Sequence, residues 1–258
     1  MSSLLELSGK VVLVTGSTKH IGRATALLFA EHGATVIVNS RNVVDIERTV
    51  NEFRVKGHVA EGICADVSKE KDVDELMAKI SKQFGRLDVV VNNAANIPWN
   101  NPIETCPSDQ WDEVFHTNLY GTFYVCRSAL PMMKQKESGA IINISSGTAF
   151  GKDPFVSSLP YASSKGALIS FTKGLAREVC QHGVRVNAVV FSTAEPDDRT
   201  KYPSQRIYQK AIETSPLRRL TRAEEIASII LFLASDMSSA VTGEVIALGG
   251  ISNSTTAF

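Results

Sequence analysis

The hydrophobic positions of the chain alternate between two patterns. Residues 10–15 read KVVLVT, a β-branched run without polar alternation, which is typical of a strand buried on both faces of a parallel sheet. The apolar residues that follow, from Ile21 to Leu28, recur at helical spacing, and Gly33 is a natural helix stop. This change of period predicts a strand followed by a helix.

The same alternation continues along the rest of the chain. We predict strands at residues 10–15, 34–38, 58–64, 87–91, 140–144, 184–190 and 244–248, separated by helical stretches such as 43–56 and 69–84. Strands that alternate with helices favour a parallel sheet with helices on both faces. The chain has no linker, repeat or low-complexity segment, so we predict a single α/β domain over residues 1–258 with a seven-stranded parallel sheet.

One segment lacks this regularity. Residues 191–209 follow the sixth predicted strand and contain Pro196, Pro203, two aspartates and several basic residues. Open parallel sheets bind ligands beyond the carboxyl ends of their strands. We therefore predict a substrate lid over residues 191–213, with a solvated loop as the alternative.

Composition and charge exclude several classes of protein. The 258 residues include 27 Lys and Arg against 27 Asp and Glu, whereas nucleic-acid and anionic-membrane partners require a basic excess. No apolar run approaches roughly 18 residues and no signal-peptide pattern opens the chain, so we expect a cytoplasmic protein without a membrane partner. The cysteines lie far apart, without a C-x-x-C pair or nearby histidines. They predict reduced thiols and no metal site.

A glycine-containing turn joins the first predicted strand to its helix, where residues 15–22 read TGSTKHIG. Gly16 permits a tight turn, the N–H groups at the helix start can meet a pyrophosphate, and Gly22 lets the helix approach the strand. Such turns are common in α/β proteins. Nucleotide binding and a purely structural turn are therefore both open at this point.

Tyr161 and Lys165 lie four residues apart at the start of a predicted helix, which puts the phenol and the ammonium on one face. A fixed cation favours the phenolate and lowers the tyrosine pKa towards the range in which the group exchanges protons near neutral pH. The pair also arises by chance in many helices. Taken alone, it favours a structural role.

Taken in order, the motifs of the chain resemble those of the short-chain dehydrogenase/reductase family, and within it the 3-oxoacyl-(acyl-carrier-protein) reductase-like ketoreductases. The resemblance implies a Rossmann fold and covers essentially residues 7–251. The positions that carry it are the glycine turn, Asp66-Val67, residues 92–95 (NNAA), Asn118, Ser146, Tyr161 with Lys165, residues 186–189 (VNAV), Pro216-Leu217 and residues 232–236 (FLASD).

The resemblance implies an NADP(H)-dependent oxidoreductase that transfers a hydride between the nicotinamide and a carbonyl or secondary alcohol. In the family pattern, Tyr161 is the proton donor in the reductive direction, and Lys165 lowers its pKa and holds the nicotinamide ribose. Ser146 would hydrogen-bond the substrate oxygen, and Asn118 would position a water for proton relay. The implied substrate is a small carbonyl compound or alcohol, either free or carried on an acyl carrier protein or coenzyme A.

The family pattern also locates the cofactor. At the end of the second strand, where an NAD enzyme of this type carries an acid, the chain reads Ser40-Arg41-Asn42, and the first acid is Asp45. Arg41 can pair with a 2′-phosphate and Lys19 can approach it from the other side, which favours NADP(H). The predicted cofactor-binding residues are Gly16, Ser17, Lys19, His20, Ile21, Ser40, Arg41, Asp66, Val67, Asn93, Ala94, Tyr161 and Lys165.

The chain departs from the family pattern in several places. His20 replaces the second glycine of the turn, and Phe191-Ser192 replaces a Pro-Gly pair. Pro196 stands where a threonine holds the nicotinamide carboxamide, and residues 152–160 form an insertion. Two alternatives stay open: a non-catalytic NADP(H)-binding sensor or assembly protein, and a pteridine-type reductase. Pteridine reductases carry a basic residue at the His20 position but an aspartate at that of Ser146.

The family also implies a homo-oligomer, either a dimer or a tetramer, built through the long helices after strands four and five and through the last strand. The apolar residues of these two helices fit such an interface and packing on the sheet equally well. They are Phe123, Val125, Ala129, Leu168, Phe171 and Leu175.

Two other features each allow two interpretations. Trp99 and Trp111 can line a substrate cleft or serve packing. Arg127, Lys134 and Lys136 can form a docking patch for an acyl carrier protein near the cleft mouth or a solvated surface.

The charged residues 218–225 are most simply a solvated helix start. In that interpretation Thr221 is the N-cap and Glu224 completes a capping box.

Overall fold

The computed structural model describes residues 4–98, 102–151, 158–197 and 205–250. Trp99, residues 152–157 of the insertion, residues 198–204 of the predicted lid and Ile251 lie outside the described residues. Within the described ranges, no helix has the length and apolar character needed to cross a bilayer.

Seven strands form one sheet among these residues: β1 (Val11–Val14), β2 (Thr35–Ser40), β3 (Ala60–Cys64), β4 (Val89–Asn92), β5 (Gly139–Ile144), β6 (Val184–Phe191) and β7 (Val245–Leu248). The helices between them are α1 (His20–Glu31), α2 (Val43–Val55), α3 (Glu70–Phe84), α4 (Ser108–Phe115), α5 (Gly121–Gln135), α6 (Leu159–Val179), α7 (Gln205–Thr214) and α8 (Ala223–Ala234). The predicted seven-stranded α/β architecture is confirmed. The predicted lid includes most of α7.

The strands are all parallel and lie in the order β3-β2-β1-β4-β5-β6-β7. The chain builds outwards from β1 to β3, then returns to the other side of β1 with β4. The direction of winding therefore reverses between β1 and β4. In open α/β sheets, ligands bind beyond the carboxyl ends of the strands at such a point.

Alternate residues of β1 pack into two separate cores. Val12 and Val14 belong to the layer that also contains residues of α1, α2 and α8, whereas Val11 and Leu13 belong to the layer with α3 and α5. Successive side chains of a strand point to opposite faces, so a strand covered on both sides must be apolar throughout. This explains why the unbroken apolar runs in the sequence predicted these strands.

α4 and α5 are joined by one turn of π-helix, His116–Tyr120, without a break in the helical path. Asn118 lies inside this turn and is buried. A π-turn inserts one residue into a helix and changes the direction of the side chains around it, and such turns are frequent at functional sites.

The predicted start of α8 is wrong by one residue. Arg222 is the N-cap, and its N–H donates to the Glu225 carboxylate at 2.9 Å. Thr221 cannot be the cap because its backbone is bonded to the segment after β6, donating to Thr193 and accepting from Glu195. Arg219 also pairs with Glu225 at 2.7 and 2.8 Å, and these hydrogen bonds lower the pKa of Glu225 to about 2.

Candidate active site

A cleft of about 350 Å³ lies at the carboxyl ends of β1 to β6. It brings together every predicted cofactor-binding residue except Ser17. The lining also contains residues outside the predicted cofactor-binding set, and most of them lie next to predicted positions in the sequence. These are Thr18, Gly22, Asn39, Ala65, Ala95, Ile97, Thr117, Ile144, Ser145 and Phe191.

Ser17 is the predicted cofactor-binding residue of the glycine turn that does not line the cleft. It is fully buried and is not part of the cleft lining. Its N–H donates to the Asn39 carbonyl at 2.9 Å, and its hydroxyl accepts from the Asn39 N–H at 3.0 Å. These bonds fasten the turn to β2, so its neighbour Thr18 reaches the cleft instead.

The two outer glycines of the turn allow contacts that a side chain would prevent. Gly16 has φ of +63°, and a Cβ there would lie 3.0 Å from the Cα of Ala94. A Cβ on Gly22 would lie 2.4 Å from the Gly16 carbonyl oxygen and 2.5 Å from Nδ2 of Asn93. The start of α1 therefore presses directly against the turn and the end of β4, which opens the helix N–H groups to the cleft.

Asn93 and Thr15 hold the turn in place. Nδ2 of Asn93 donates to the carbonyls of Thr15 and Gly16 at 3.0 and 3.1 Å. In return, the Thr15 hydroxyl accepts from the N–H groups of Asn93 and Ala94, both at 3.0 Å. The polar residues after β4 thus stabilise the turn after β1, and the cleft floor is preformed.

Tyr161 and Lys165 lie in the first two turns of α6 and both are buried at the wall of the cleft. Nζ of Lys165 lies 5.6 Å from the centre of the Tyr161 ring and donates to the Ile144 carbonyl at 2.7 Å. Burial lowers the pKa of Lys165 to about 8. The ammonium is therefore close enough to favour the Tyr161 phenolate.

Ser145 is part of the cleft lining, whereas its neighbour Ser146, the predicted substrate-binding serine, is buried and is not among the lining residues. Ser145 lines the cleft and donates its hydroxyl proton to the Lys165 carbonyl at 2.8 Å. The Ser146 hydroxyl accepts from the Thr148 N–H at 3.3 Å and uses its proton in no hydrogen bond to the described residues. Among the described residues, the Ser145 hydroxyl proton is used by the Lys165 carbonyl and that of Ser146 is not used by an acceptor.

Asn118 lies behind the cleft, not in its lining. Its Oδ1 accepts from the Asn96 N–H at 2.7 Å, and its Nδ2 donates to the Asn96 carbonyl at 3.1 Å and to the Ser164 hydroxyl at 3.0 Å. The amide therefore joins the loop after β4, the π-turn and α6. It fixes the wall that carries Tyr161.

The far end of the cleft, at β2 and β3, is basic and open. The Arg41 side chain is 75% exposed, with Nη1 4.0 Å from Oδ2 of Asp66. Oδ1 of Asp66 is occupied by the N–H and the hydroxyl of Ser68. Lys19 is also exposed at this end. A loosely paired arginine can turn towards an added anion at small cost.

His20 has φ of +51°, the left-handed conformation that the replaced glycine adopts readily. Its ring turns to the segment after β6, where Nε2 lies 2.8 Å from the Glu195 carbonyl oxygen. Ala194 of that segment forms a parallel bridge with Thr221. Residues 191–197 are thus held against the glycine turn, and Phe191 lines the cleft.

Ion pairs engage two of the three residues for which a docking patch and a solvated surface were both open. Lys136 pairs with Asp88, just before β4, at the opposite edge of the sheet. Arg127 pairs with Glu70. Two of the three proposed cations are therefore committed to intramolecular ion pairs.

The strand order and the cleft at the reversal of winding define a Rossmann-type α/β protein. A family model described as enoyl-(acyl carrier protein) reductase matches residues 16–250. The relatives include the 3-oxoacyl-(acyl-carrier-protein) reductases FabG of Aquifex aeolicus and Thermotoga maritima, 38% and 36% identical over 250 and 246 residues. Each match covers 95% of this chain and 98% of the relative. The chain belongs to the short-chain dehydrogenase/reductase family of oxidoreductases.

Solved structures agree. A gluconate 5-dehydrogenase of Burkholderia cenocepacia, in complex with NADP and tartrate, matches with a TM-score of 0.89 and 28% identity, over 97% of this chain and 98% of that one. A 7α-hydroxysteroid dehydrogenase, complexed with NADH and a 7-oxo bile acid, matches with a TM-score of 0.89 and 28% identity over 95% of each chain. The fold is thus shared with dehydrogenases of sugar acids and of steroids.

Proposed function

We propose that the protein is an NADP(H)-dependent ketoreductase of the cytoplasm, with a 3-oxoacyl thioester as its substrate class. The observation that carries the proposal is the buried Tyr161–Lys165 pair at one end of a cleft whose other end presents Arg41 and no acid in place of the ribose-binding carboxylate. The thioester substrate class rests on the relatives, which match nearly end to end. Cys64, Cys106, Cys126 and Cys180 are all free thiols, as in a reducing compartment.

The residues present fit the cofactor. Gly16 and Gly22 form a cradle that a Cβ would fill, and His20, Ile21 and Gly22 at the start of α1 line the cleft. Ser40 and Arg41 would hold the adenosine 2′-phosphate with Lys19, and Asp66 and Val67 would border the adenine. Asn93, Ala94 and Lys165 would contact the ribose and diphosphate bridge between the two ends.

When bound, NADPH supplies a hydride to the carbonyl carbon of the substrate. Tyr161 holds the carbonyl oxygen and donates its phenolic proton as negative charge develops there. The positive charge of Lys165 favours the phenolate of Tyr161, and the Ser146 hydroxyl donates a second hydrogen bond to the substrate carbonyl oxygen. Asn118 supports a proton path to Lys165 by fixing the Asn96 carbonyl beside α6. Reduction thus gives an alcohol, and the reverse reaction uses the same groups.

The test is NADPH oxidation against a panel of 3-oxoacyl thioesters, enoyl thioesters, keto-sugar acids, 7-oxo steroids and pterins, with NADH in parallel. We expect turnover of the 3-oxoacyl thioesters with NADPH, and loss of at least roughly a thousandfold in kcat for Tyr161→Phe, on the order of what general acid catalysis and alkoxide stabilisation contribute together. Turnover of enoyl thioesters alone would overturn the assignment to carbonyl reduction. NADPH binding without turnover of any substrate would favour the sensor alternative.

A further inference from the structure

The first N–H of α1 donates a hydrogen bond to a carboxylate that is distant in the sequence. The His20 N–H donates to Oδ2 of Asp197 at 3.0 Å, across 177 positions of sequence. The N-cap residue, Lys19, supplies no side-chain hydrogen bond, and the first turn of the helix contains no acid. Asp197 therefore does the work of a capping residue at a helix start that has none of its own.

A second contact fixes the approach of Asp197. The His20 ring meets the Glu195 carbonyl at 2.8 Å, and the Glu195 N–H donates to the Thr221 carbonyl at 2.8 Å. The backbone is therefore held on both sides two residues before Asp197. We call His20, Glu195 and Asp197 the clasp. It joins the glycine turn to the segment after β6.

The clasp occupies the N–H group at the start of α1 that the diphosphate of a dinucleotide would also bind. His20, Ile21 and Gly22 all line the cleft, and their N–H groups lie at the positive end of the α1 dipole. One N–H cannot donate fully to a carboxylate and to a phosphate oxygen at the same time. Two anions at the same helix start also repel each other.

Arg23 offers Asp197 another partner. Its guanidinium pairs with Glu52, and its pKa is raised chiefly by that hydrogen bond and further by the charges of Glu52 and Asp197. A carboxylate that leaves the His20 N–H thus stays within the field of a cation on the same helix. When the clasp opens, the negative charge of Asp197 is therefore still stabilised by Arg23.

We propose that Asp197 is an internal competitor of the cofactor diphosphate, and that the clasp sets the affinity of the protein for NADP(H); the proposal rests on the proposed function. His20 and Asp197 are positioning residues in this role. Cofactor binding must move Asp197 from the start of α1, and with it the segment that carries Phe191 at the cleft wall. Cofactor affinity and the position of this segment are therefore coupled.

The test is the affinity of Asp197→Asn for NADPH and for adenosine 2′-monophosphate, measured by calorimetry at constant ionic strength. Asparagine keeps the size of the side chain and removes the charge. We expect NADPH to bind on the order of tenfold more tightly. Adenosine 2′-monophosphate has no diphosphate, so its affinity should not change. The matched control is Glu195→Gln, which removes the same charge two residues away without altering the His20 N–H.

Stability supplies an independent readout. Asp197→Asn weakens the cap of α1 and should lower the unfolding midpoint in urea while NADPH binds more tightly. If the contact were merely structural, its loss would lower both the unfolding midpoint and the affinity for NADPH. The His20→Gly variant lacks the ring contact to Glu195, so Asp197 is already less constrained in it. Adding Asp197→Asn to this variant should therefore increase the NADPH affinity by a smaller factor than in the wild-type protein.

Three outcomes would overturn the clasp proposal. These are unchanged or weaker NADPH binding in Asp197→Asn, an equal gain for adenosine 2′-monophosphate, and an equal gain in Glu195→Gln. Wild-type protein that binds no NADPH would instead contradict the proposed function itself. The two failures are therefore distinguishable.

Discussion

Lys165 places a cation where the solvent cannot reach it. The residue is 2% exposed, and its ammonium donates to the Ile144 carbonyl. Burial lowers its pKa from 10.5 to about 8, so the folded chain holds this proton less tightly than the unfolded chain does. At the scale of single residues, the chemistry of the cleft is therefore maintained at the expense of stability.

Lys165→Met should abolish turnover and stabilise the fold at pH 7. The fall in pKa corresponds to roughly 3 kcal/mol, and the unpaired Ile144 carbonyl would return about 1 kcal/mol of it. We therefore expect a gain of about 2 kcal/mol in the free energy of unfolding. Below about pH 8, both states are protonated and the cost of burial is complete. Between about 8 and 10.5, the folded chain loses the proton first, so wild-type stability rises and the gain shrinks. Urea unfolding at pH 7 and pH 10 measures this, and a gain that grows with pH would contradict it.

Arg41 should decide the choice between the two nicotinamide cofactors. Its side chain is largely exposed, and its ion pair with Asp66 is long, so most of its charge is available to a 2′-phosphate. Arg41→Ala should raise KM for NADPH on the order of tenfold and leave KM for NADH unchanged. Steady-state kinetics with both cofactors measures the effect. Arg48→Ala is the control because Arg48 is 69% exposed on α2 and pairs with Asp45.

Among the helices, the position of α1 depends on Gly22, a helical residue without a side chain. Gly22 is buried, and its Cα faces the Gly16 carbonyl and the Asn93 amide. A helix interior normally disfavours glycine because the unfolded chain loses more conformational freedom there. Here the close approach of α1 to the turn outweighs that cost.

Gly22→Ala should destabilise the protein and reduce NADPH affinity. The new methyl would lie 2.4 Å from the Gly16 carbonyl oxygen, so the helix must move away from the turn, at a cost of roughly 1–3 kcal/mol. Gly174→Ala is the matched control, since Gly174 lies in α6 and a Cβ added there would meet nothing within 4 Å. It should stabilise the fold by about 0.5–1 kcal/mol. Thermal unfolding and NADPH titration of the pair measure both effects, and similar shifts for the two variants would contradict the close-packing argument.

Across the molecule, local sequence patterns predicted the strands and helices well. They did not predict the contacts between segments that are far apart in the sequence. The apolar runs at β1 and β4 predicted these strands because all of their residues are buried, which leaves a signal at every position, whereas the edge strands β3 and β7 are only partly buried. The contact of Asp197 with His20 leaves none, since it joins a loop to a turn far away in sequence. The same holds for Thr221, which becomes a bridge partner of Ala194 instead of a helix cap. Motif spacing found Tyr161 and Lys165 but missed the bond of Ser145 to the Lys165 carbonyl.

The π-turn and the start of α5 carry a stripe of partly exposed aromatic side chains among the described residues. Tyr120 and Phe123 are 45% and 38% exposed, and the Tyr120 ring stacks on His116 at 5.1 Å and lies 6.2 Å from Tyr124. We propose that this surface is an interface between copies of the chain, as the family resemblance implies.

We predict that Phe123→Glu lowers the oligomeric state of the protein. A charge in the centre of a buried interface is costly unless it is paired, so the association should weaken by at least roughly a hundredfold. Sedimentation velocity at several protein concentrations measures the change. Val55→Glu is the control, because Val55 is 80% exposed at the end of α2, on another surface. Circular dichroism of both variants shows whether the fold is kept. A wild-type protein that sediments as a monomer at all concentrations, or a Phe123→Glu variant with unchanged association, would show that the stripe is not the interface.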